Sequence, residues 1–461
     1  MVVVQGSKVT LPTPCSLSSP LHTTSILFEP TSLSLALTHS DSSLSLYPSF
    51  SPSSSSSSLP IPQTLIPPPS SSSTFLLLQS STNPNPSVLF LVSSPHRAGS
   101  QILLRFYLLN PKTNAFAAVP RVLCSQRDLR FESKLGVLLD AKHGASLKLA
   151  GSVNYFALYS VSCSKVWVFA VKMMMGHDHE DGIKLMRCAV IRCSRPVWSL
   201  SISFGFLLLG EENGVRIFAL RRLVAAKRVG NSSLKNLSSK QQQLPNGVVG
   251  RDRHGGRDRR HGEGVLEATC NGDTEAKVEK HGVAVKQTNV KFKHDQNDGG
   301  ACFVALKGNE IETKSIAKVS MSVKAISIQA LTQRMFLILD SLGDLHLLRL
   351  SNFGIGVDIT GHVWQLPHVM KVQSLTVLPD VSTVPQTAWI SDGCHSVHMF
   401  STADMENALN EADANNDDQK LMHLPVIRVL FSTEKIQDII SIAANSVLIL
   451  GQGSLYAYAI S

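Results

Sequence analysis

Between Val197 and Leu220 apolar and polar residues alternate in a way that predicts strands. "VWSLSIS" (Val197–Ser203) sets one type against the other residue by residue, as a half-buried strand does. "FLLLGEENGVRIFAL" (Phe206–Leu220) follows as an apolar strand, a tight acidic and glycine turn, and a third, alternating strand. The lead strand returns as "VKAISIQ" (Val323–Gln329), "VQSLTVL" (Val372–Leu378) and "IQDIISI" (Ile436–Ile442). Each copy precedes a similar hairpin: "MFLILDSLGDLHLLRL", "AWISDGCHSVHMF" and "SVLILGQGSLYAYAI". Cruder hairpins lie upstream in "LALTHSDSSLSLYPS", "VLFLVSSPHRAGSQILLRFYLL" and "FALYSVSCSKVWVFAV".

The pattern therefore repeats about seven times, at intervals of roughly 50 to 65 residues. One interval, between the fourth and fifth units, stretches to about 126, and removing residues 224–300 restores the normal spacing. No long stretch keeps the 3.6-residue period of a helix. Short antiparallel strands in tandem units of this size predict an all-β chain folded as a single β-propeller of about seven four-stranded blades.

"ENGVRIFALR" resembles the turn and third strand of the WD-repeat family, with Phe218 and Ala219 where that family usually places Trp-Asp. The Trp-Asp pair occurs nowhere in the chain, and most units lack the family's Gly-His pair and buried aspartate. The resemblance implies a scaffold that binds other proteins through its faces. It also implies a ring closed by its two chain ends: the last unit stops after a third strand, "SLYAYAIS", and "VVVQGSKVTLP" at the amino end would supply the fourth. Full closure removes the open edges on which sheets aggregate. Some members dock onto an adaptor of cullin-type ubiquitin ligases through an arginine two places after the Trp-Asp pair. Arg221 stands at that position, which implies a substrate-receptor role as an alternative.

The chain accordingly divides into blades one to four at 1–223, an insertion at 224–300, and blades five to seven at 301–461. Residues 48–73, "PSFSPSSSSSSLPIPQTLIPPPSSSS", are a low-complexity loop between the first two blades. The insertion holds "RDRHGGRDRRHGEG" and few large apolar residues, so it is expected to be disordered. A third loop, "DMENALNEADANNDDQK" (Asp404–Lys420), reads as a solvated acidic surface.

Composition changes this picture little. Of a net charge of +9, about +5 comes from 224–300, which leaves the rest mildly basic on average. Arg251, Arg253, Arg257, Arg259 and Arg260 form a candidate import signal or phosphate-contacting segment, weakened by Asp252, Asp258 and Glu263. A nuclear RNA- or chromatin-associated protein is thus an alternative reading. Eight scattered cysteines without a CxxC pair read as reduced thiols. No apolar run has the length of a membrane span, so no membrane partner is expected. These features place the protein in the nucleus or cytoplasm, the nucleus being favoured. A plastid transit segment, suggested by an N-terminal stretch rich in Ser and Thr whose first acid is Glu29, is disfavoured because that stretch already alternates like strands.

Catalytic signatures do not rise beside the repeat. There is no G-x-S-x-G, no phosphate-binding Gly-to-Gly-Lys spacing and no H-E-x-x-H. "GHDHED" (Gly176–Asp181) reads as a hydrated loop rather than a metal site. No cofactor and no enzyme activity are expected; a propeller hydrolase would need acids or histidines converging on a polar central channel. The candidate partner-binding residues are Glu211 and Glu212, at a turn on one face, and Arg221 and Arg222, on the opposite face. Trp167, Trp198 and Trp389 are expected to pack between blades.

Overall fold

The computed structural model describes residues 4–11, 21–51, 62–80, 83–174, 182–224, 301–306, 322–351, 359–366, 370–378, 387–405 and 426–460. These fall in one compact unit, built almost wholly of strands. Its first strand is β1 (Val4–Thr10).

Blade one is β2 (Thr23–Glu29), β3 (Ser34–His39), β4 (Leu44–Tyr47) and β5 (Thr64–Ile66). Blade two is β6 (Ser72–Ser80), β7 (Asn83–His96), β8 (Gln101–Asn110) and β9 (Ala115–Ala118). An excursion follows through β10 (Val122–Cys124), β11 (Leu129–Glu132) and β12 (Gly136–Leu139). Blade three is β13 (Leu147–Gly151), β14 (Tyr155–Ser160), β15 (Lys165–Met174) and β16 (Gly182–Arg192). Blade four is β17 (Ser199–Ser203), β18 (Phe206–Glu211), β19 (Gly214–Ala219) and β20 (Cys302–Ala305). Blade five is β21 (Ala325–Ala330), β22 (Met335–Asp340), β23 (Leu345–Ser351) and β24 (Thr360–Leu366). Blade six is β25 (Ser374–Val377), β26 (Thr387–Ser391), β27 (Ser396–Ser401) and β28 (Arg428–Phe431). Blade seven is β29 (Asp438–Ala443), β30 (Ser446–Leu450), β31 (Ser454–Ile460) and, on its outer edge, β1.

The apolar runs of the second strands are explained by their position. In β18, Leu207 and Leu209 pack toward blade three while Phe206 and Leu208 pack toward blade five, so both faces of the strand are buried. The same division recurs at every blade. Seven hydrophobic clusters each join two adjacent blades, and the seventh joins blade seven back to blade one. Trp167 and Trp389 lie in two of these seams, as expected. Trp198 is only half-buried, and Lys324 covers its ring with Nζ 4.1 Å from the centroid.

The excursion after blade two was not foreseen. β12 pairs with β8 and carries β11 outside it, while β10 runs parallel along the outer edge of β16. These short strands cover edges of blades two and three that would otherwise present unpaired backbone groups.

Closure is by β1 and β31, antiparallel over seven positions from Val4 opposite Ile460 to Thr10 opposite Ser454. Glu434 fastens the joint: its carboxylate accepts hydrogen bonds from the Gly453 amide (3.0 Å) and the Tyr456 hydroxyl (2.7 Å), and pairs with Lys8 of β1 at 3.3 Å. Burial works against this charge. The Gly453 amide, the Tyr456 and Ser454 hydroxyls and Lys8 outweigh it and pull the carboxyl down to about 2. A carboxylate bound more strongly in the folded state stabilises it above the unfolded pKa near 4.5, and that contribution is lost as pH falls toward 2. Glu434→Gln should therefore cost on the order of 1–3 kcal/mol at pH 7 and progressively less below pH 4.5. Urea unfolding of both proteins at several pH values checks this, and a pH-independent difference would remove the ionic account.

Candidate functional site

The hairpin of blade four turns through Glu212 and Asn213, with Glu211 opposite Gly214. Asn213 adopts a positive φ of 60°, which asparagine tolerates better than most residues. Its side-chain oxygen accepts the Val323 amide at 2.9 Å, and its own amide donates to the Val323 carbonyl at 2.6 Å. The turn is thereby fixed to the segment that leads into blade five. Gly210 is required here by close approach: a Cβ would lie 2.0 Å from the Ser199 Oγ and 2.4 Å from the Ala325 carbonyl oxygen.

The two candidate acids of this turn differ in exposure. Glu211 is 1% exposed, and its carboxylate accepts from Arg216 Nε at 2.8 Å and Nη2 at 3.2 Å. A bidentate, nearly dry pair of this kind orients both side chains inward. Glu212 is half-buried, bridges to Lys324 through its backbone, and accepts a hydrogen bond from the Ser322 hydroxyl. Glu211 therefore lies on the blade-three side of β18, with Leu207 and Leu209, while Glu212 ties the turn to the segment entering blade five.

Arg221 and Arg222 sit at the other end of β19, in the helical turn 220–224, which begins where the Leu220 amide donates to the Gly205 carbonyl at 2.8 Å. Arg221 is exposed; Arg222 is half-buried. With Val224, Arg221 lines one mouth of the central channel. Arg251, Arg253, Arg257, Arg259 and Arg260 lie outside the described residues, as do Gly176–Asp181, residues 406–420 of the acidic loop and residues 52–61 of the serine-rich segment; the segment 48–73 is not a loop throughout, because Thr64–Ile66 form β5 and Ser72 begins β6.

The channel is a cavity of about 800 Å³ at the centre of the ring, with walls supplied by the first strand of every blade. Leu27, Phe75, Leu77, Leu149, Leu200 and Ile328 make most of it apolar, and Thr74, Ser201 and Gln329 add neutral polar groups. Its titratable lining residues are Glu29, Tyr155 and Arg221. Glu29 is buried, and its carboxylate is already occupied by the amides of Thr31 (2.9 Å) and Ser32 (2.7 Å) and by the Ser32 hydroxyl (2.6 Å). Among the described residues, no three His, Cys, Asp or Glu side chains come together as a metal site would require.

The turns on the face opposite Arg221 carry the polar order of the molecule. Asp340 accepts the amides of Leu342 (2.8 Å) and Asp344 (2.9 Å), and its second oxygen meets Nε2 of buried His346 at 2.8 Å. Burial acts to raise the Asp340 carboxyl, and these bonds hold it below the usual carboxylate range. Asp392 in blade six accepts from the amides of Cys394, His395 and Ser396 in the same way. Each carboxylate satisfies backbone donors that a tight turn leaves open, and so stiffens its loop.

No protein-family model matches the chain, and no curated protein matches it. Among solved structures it is similar to the β-propeller domain of Cps50 (Swd1) from Myceliophteria thermophila, with a TM-score of 0.47 and 8% identity over 99% of this chain and 100% of that one. It is also similar to Hsv2 from Kluyveromyces lactis, at a TM-score of 0.34 and 10% identity over 79% of this chain and 66% of that one. A form of the same protein with loop 6CD replaced by a Gly-Ser linker gives 0.33 and 9%, covering 83% and 74%.

Proposed function

We propose that the chain, a divergent WD-repeat-like β-propeller, is a non-catalytic scaffold that holds other proteins in a complex. The observation that carries this reading is the contrast between its turns and its channel. Loops are fixed by buried carboxylates and interblade hydrogen bonds, while the channel is mostly apolar and its buried acid is already bonded. Rigid, individually variable loops suit recognition. Proton transfer or nucleophilic attack would need convergent groups instead.

Affinity purification with mass spectrometry, comparing the full chain with one lacking residues 224–300, tests the proposal. The same stoichiometric set of proteins is expected from both forms. Recovery of no stable partner by either form would overturn the scaffold reading. Loss of the set with the deletion would transfer the function to the insertion and support the nuclear RNA- or chromatin-associated alternative. The receptor alternative predicts that a cullin adaptor is recovered and disappears with Arg221→Ala. No helix among the described residues is long and apolar enough to cross a membrane. Residence in the nucleus or cytoplasm is part of the same proposal.

A further inference from the structure

The mild average charge of the chain conceals a strong separation. Residues 101–200 contain fourteen Lys and Arg against six Asp and Glu, whereas residues 301–461 contain ten against fifteen. Among the described residues, 101–200 carry fourteen Lys and Arg against Asp128, Glu132 and Asp140, whereas 301–461 carry six of each, so an approaching polyanion meets an oriented field.

On the face that carries the turns between second and third strands, the cations lie along a continuous arc. Arg97 occupies that turn in blade two, and the Gly99 carbonyl beside it accepts the His143 amide at 2.9 Å. Lys142 therefore stands next along the arc. Lys165 starts the third strand of blade three, directly opposite Arg192 in the outer strand. The Cys193 amide donates to the Ser164 carbonyl at 2.8 Å, and Arg195 then reaches the Glu212 carbonyl at 3.4 Å.

Two observations mark the arc as a ligand surface rather than ordinary solvated charge. Lys165 and Arg192 face each other across one strand pair, an arrangement that is unfavourable unless an anion offsets it. Further, no carboxylate lies within ion-pair distance of Arg97, Lys142, Lys165 or Arg192 among the described residues. The two acids of the blade-four turn beside Arg195 do not neutralise it, since Glu211 is buried against Arg216 and Glu212 is directed to Ser322. Asp140 remains as an exposed acid on the same connection as Lys142.

We propose that this arc binds the phosphate backbone of a nucleic acid, independently of base sequence. The chemistry favours phosphates over a folded protein. A protein interface needs an apolar or aromatic centre, and the large apolar side chains exposed along the arc are two valines, Val161 and Val190. The aromatic rings nearby are already covered, Trp198 by Lys324 and Phe303 by Arg195 at 5.9 Å, so bases have no free platform on which to stack. What remains is a row of point charges, which reads backbone and not sequence.

The test is fluorescence anisotropy of the full chain with a labelled 20-nucleotide single strand across a salt series. Four or five phosphate contacts predict a slope of log affinity against log salt of about −3. A full-length protein carrying Lys165→Glu and Arg192→Glu should bind at least tenfold more weakly at low salt, with an unchanged melting temperature. The full chain with Arg251, Arg253, Arg257, Arg259 and Arg260 changed to Gln should retain that affinity within a few-fold. Neutral variants Lys165→Gln and Arg192→Gln each should lower the slope by about 0.7. Binding that survives the charge reversal, that vanishes with the arginine changes in the insertion, or that is exceeded by binding to vesicles containing phosphatidylserine would overturn the proposal.

Discussion

Removal of residues 4–11 is expected to leave a protein that no longer closes and that self-associates. β1 supplies the outer strand of blade seven, and Val9 and Leu11 enter the cluster that joins this blade to Ile26, Phe28, Tyr47 and Phe50 of blade one. Burying those two side chains is worth about 3–6 kcal/mol, before any loss of the strand ladder is considered. The truncation also uncovers the edge of β31, whose backbone groups over seven positions then need a new partner. Thermal unfolding followed by circular dichroism, with size-exclusion chromatography at two concentrations, reads both effects. A synthetic peptide spanning residues 1–11 added in trans should restore part of the lost stability, because an extended strand can add to an open sheet edge. An unchanged melting temperature and elution volume would show that β1 is dispensable.

The second large effect is expected at Trp389. It is fully buried in β26, between Thr376 of β25 and Met399 of β27, and belongs to the seam of blades six and seven. Trp389→Ala should cost about 3–5 kcal/mol, the usual range for emptying a large aromatic site in a rigid core. Trp389→Phe should cost far less, about 1 kcal/mol. The indole Nε1 is buried without a hydrogen-bond partner among the described residues, so the smaller ring loses area but also removes an uncompensated donor. Guanidinium unfolding of the three proteins decides the matter. Equal losses for Phe and Ala would mean that the indole nitrogen is bonded in solution.

The inner architecture was legible because second strands are buried on both faces. "FLLLG" in blade four and "MFLIL" in blade five are continuous apolar runs for that reason, and they locate their blades without any family motif. Outer strands were not legible. β5, β20 and β28 span three or four residues, and Leu65 and Phe431 are among their exposed side chains, so they carry no clear alternation. The same brevity hid β9 to β12, whose sequences "AFAA", "VLC", "LRFE" and "GVLL" are too short for periodicity to separate from loop.

The candidate site was read less well than the fold. Paired glutamates at a turn suggest solvent, yet the signal for burial was present in Arg216. That residue faces Leu209 across the hairpin and so lies diagonal to Glu211 on the same side of the sheet. The basic arc was missed because averaging outside the insertion set the cations of blade three against acids elsewhere in the sequence.

The joint between β1 and β31 also sets the order of events during synthesis. Thr10 leaves the ribosome about 440 residues before its partner Ser454 exists. At cellular elongation rates this interval is about 20–90 s. Blades one to six can assemble behind one another as they emerge, but β1 must wait through that time with its pairing edge open. The nascent chain thus carries an unpaired, sticky strand until β31 emerges to receive it.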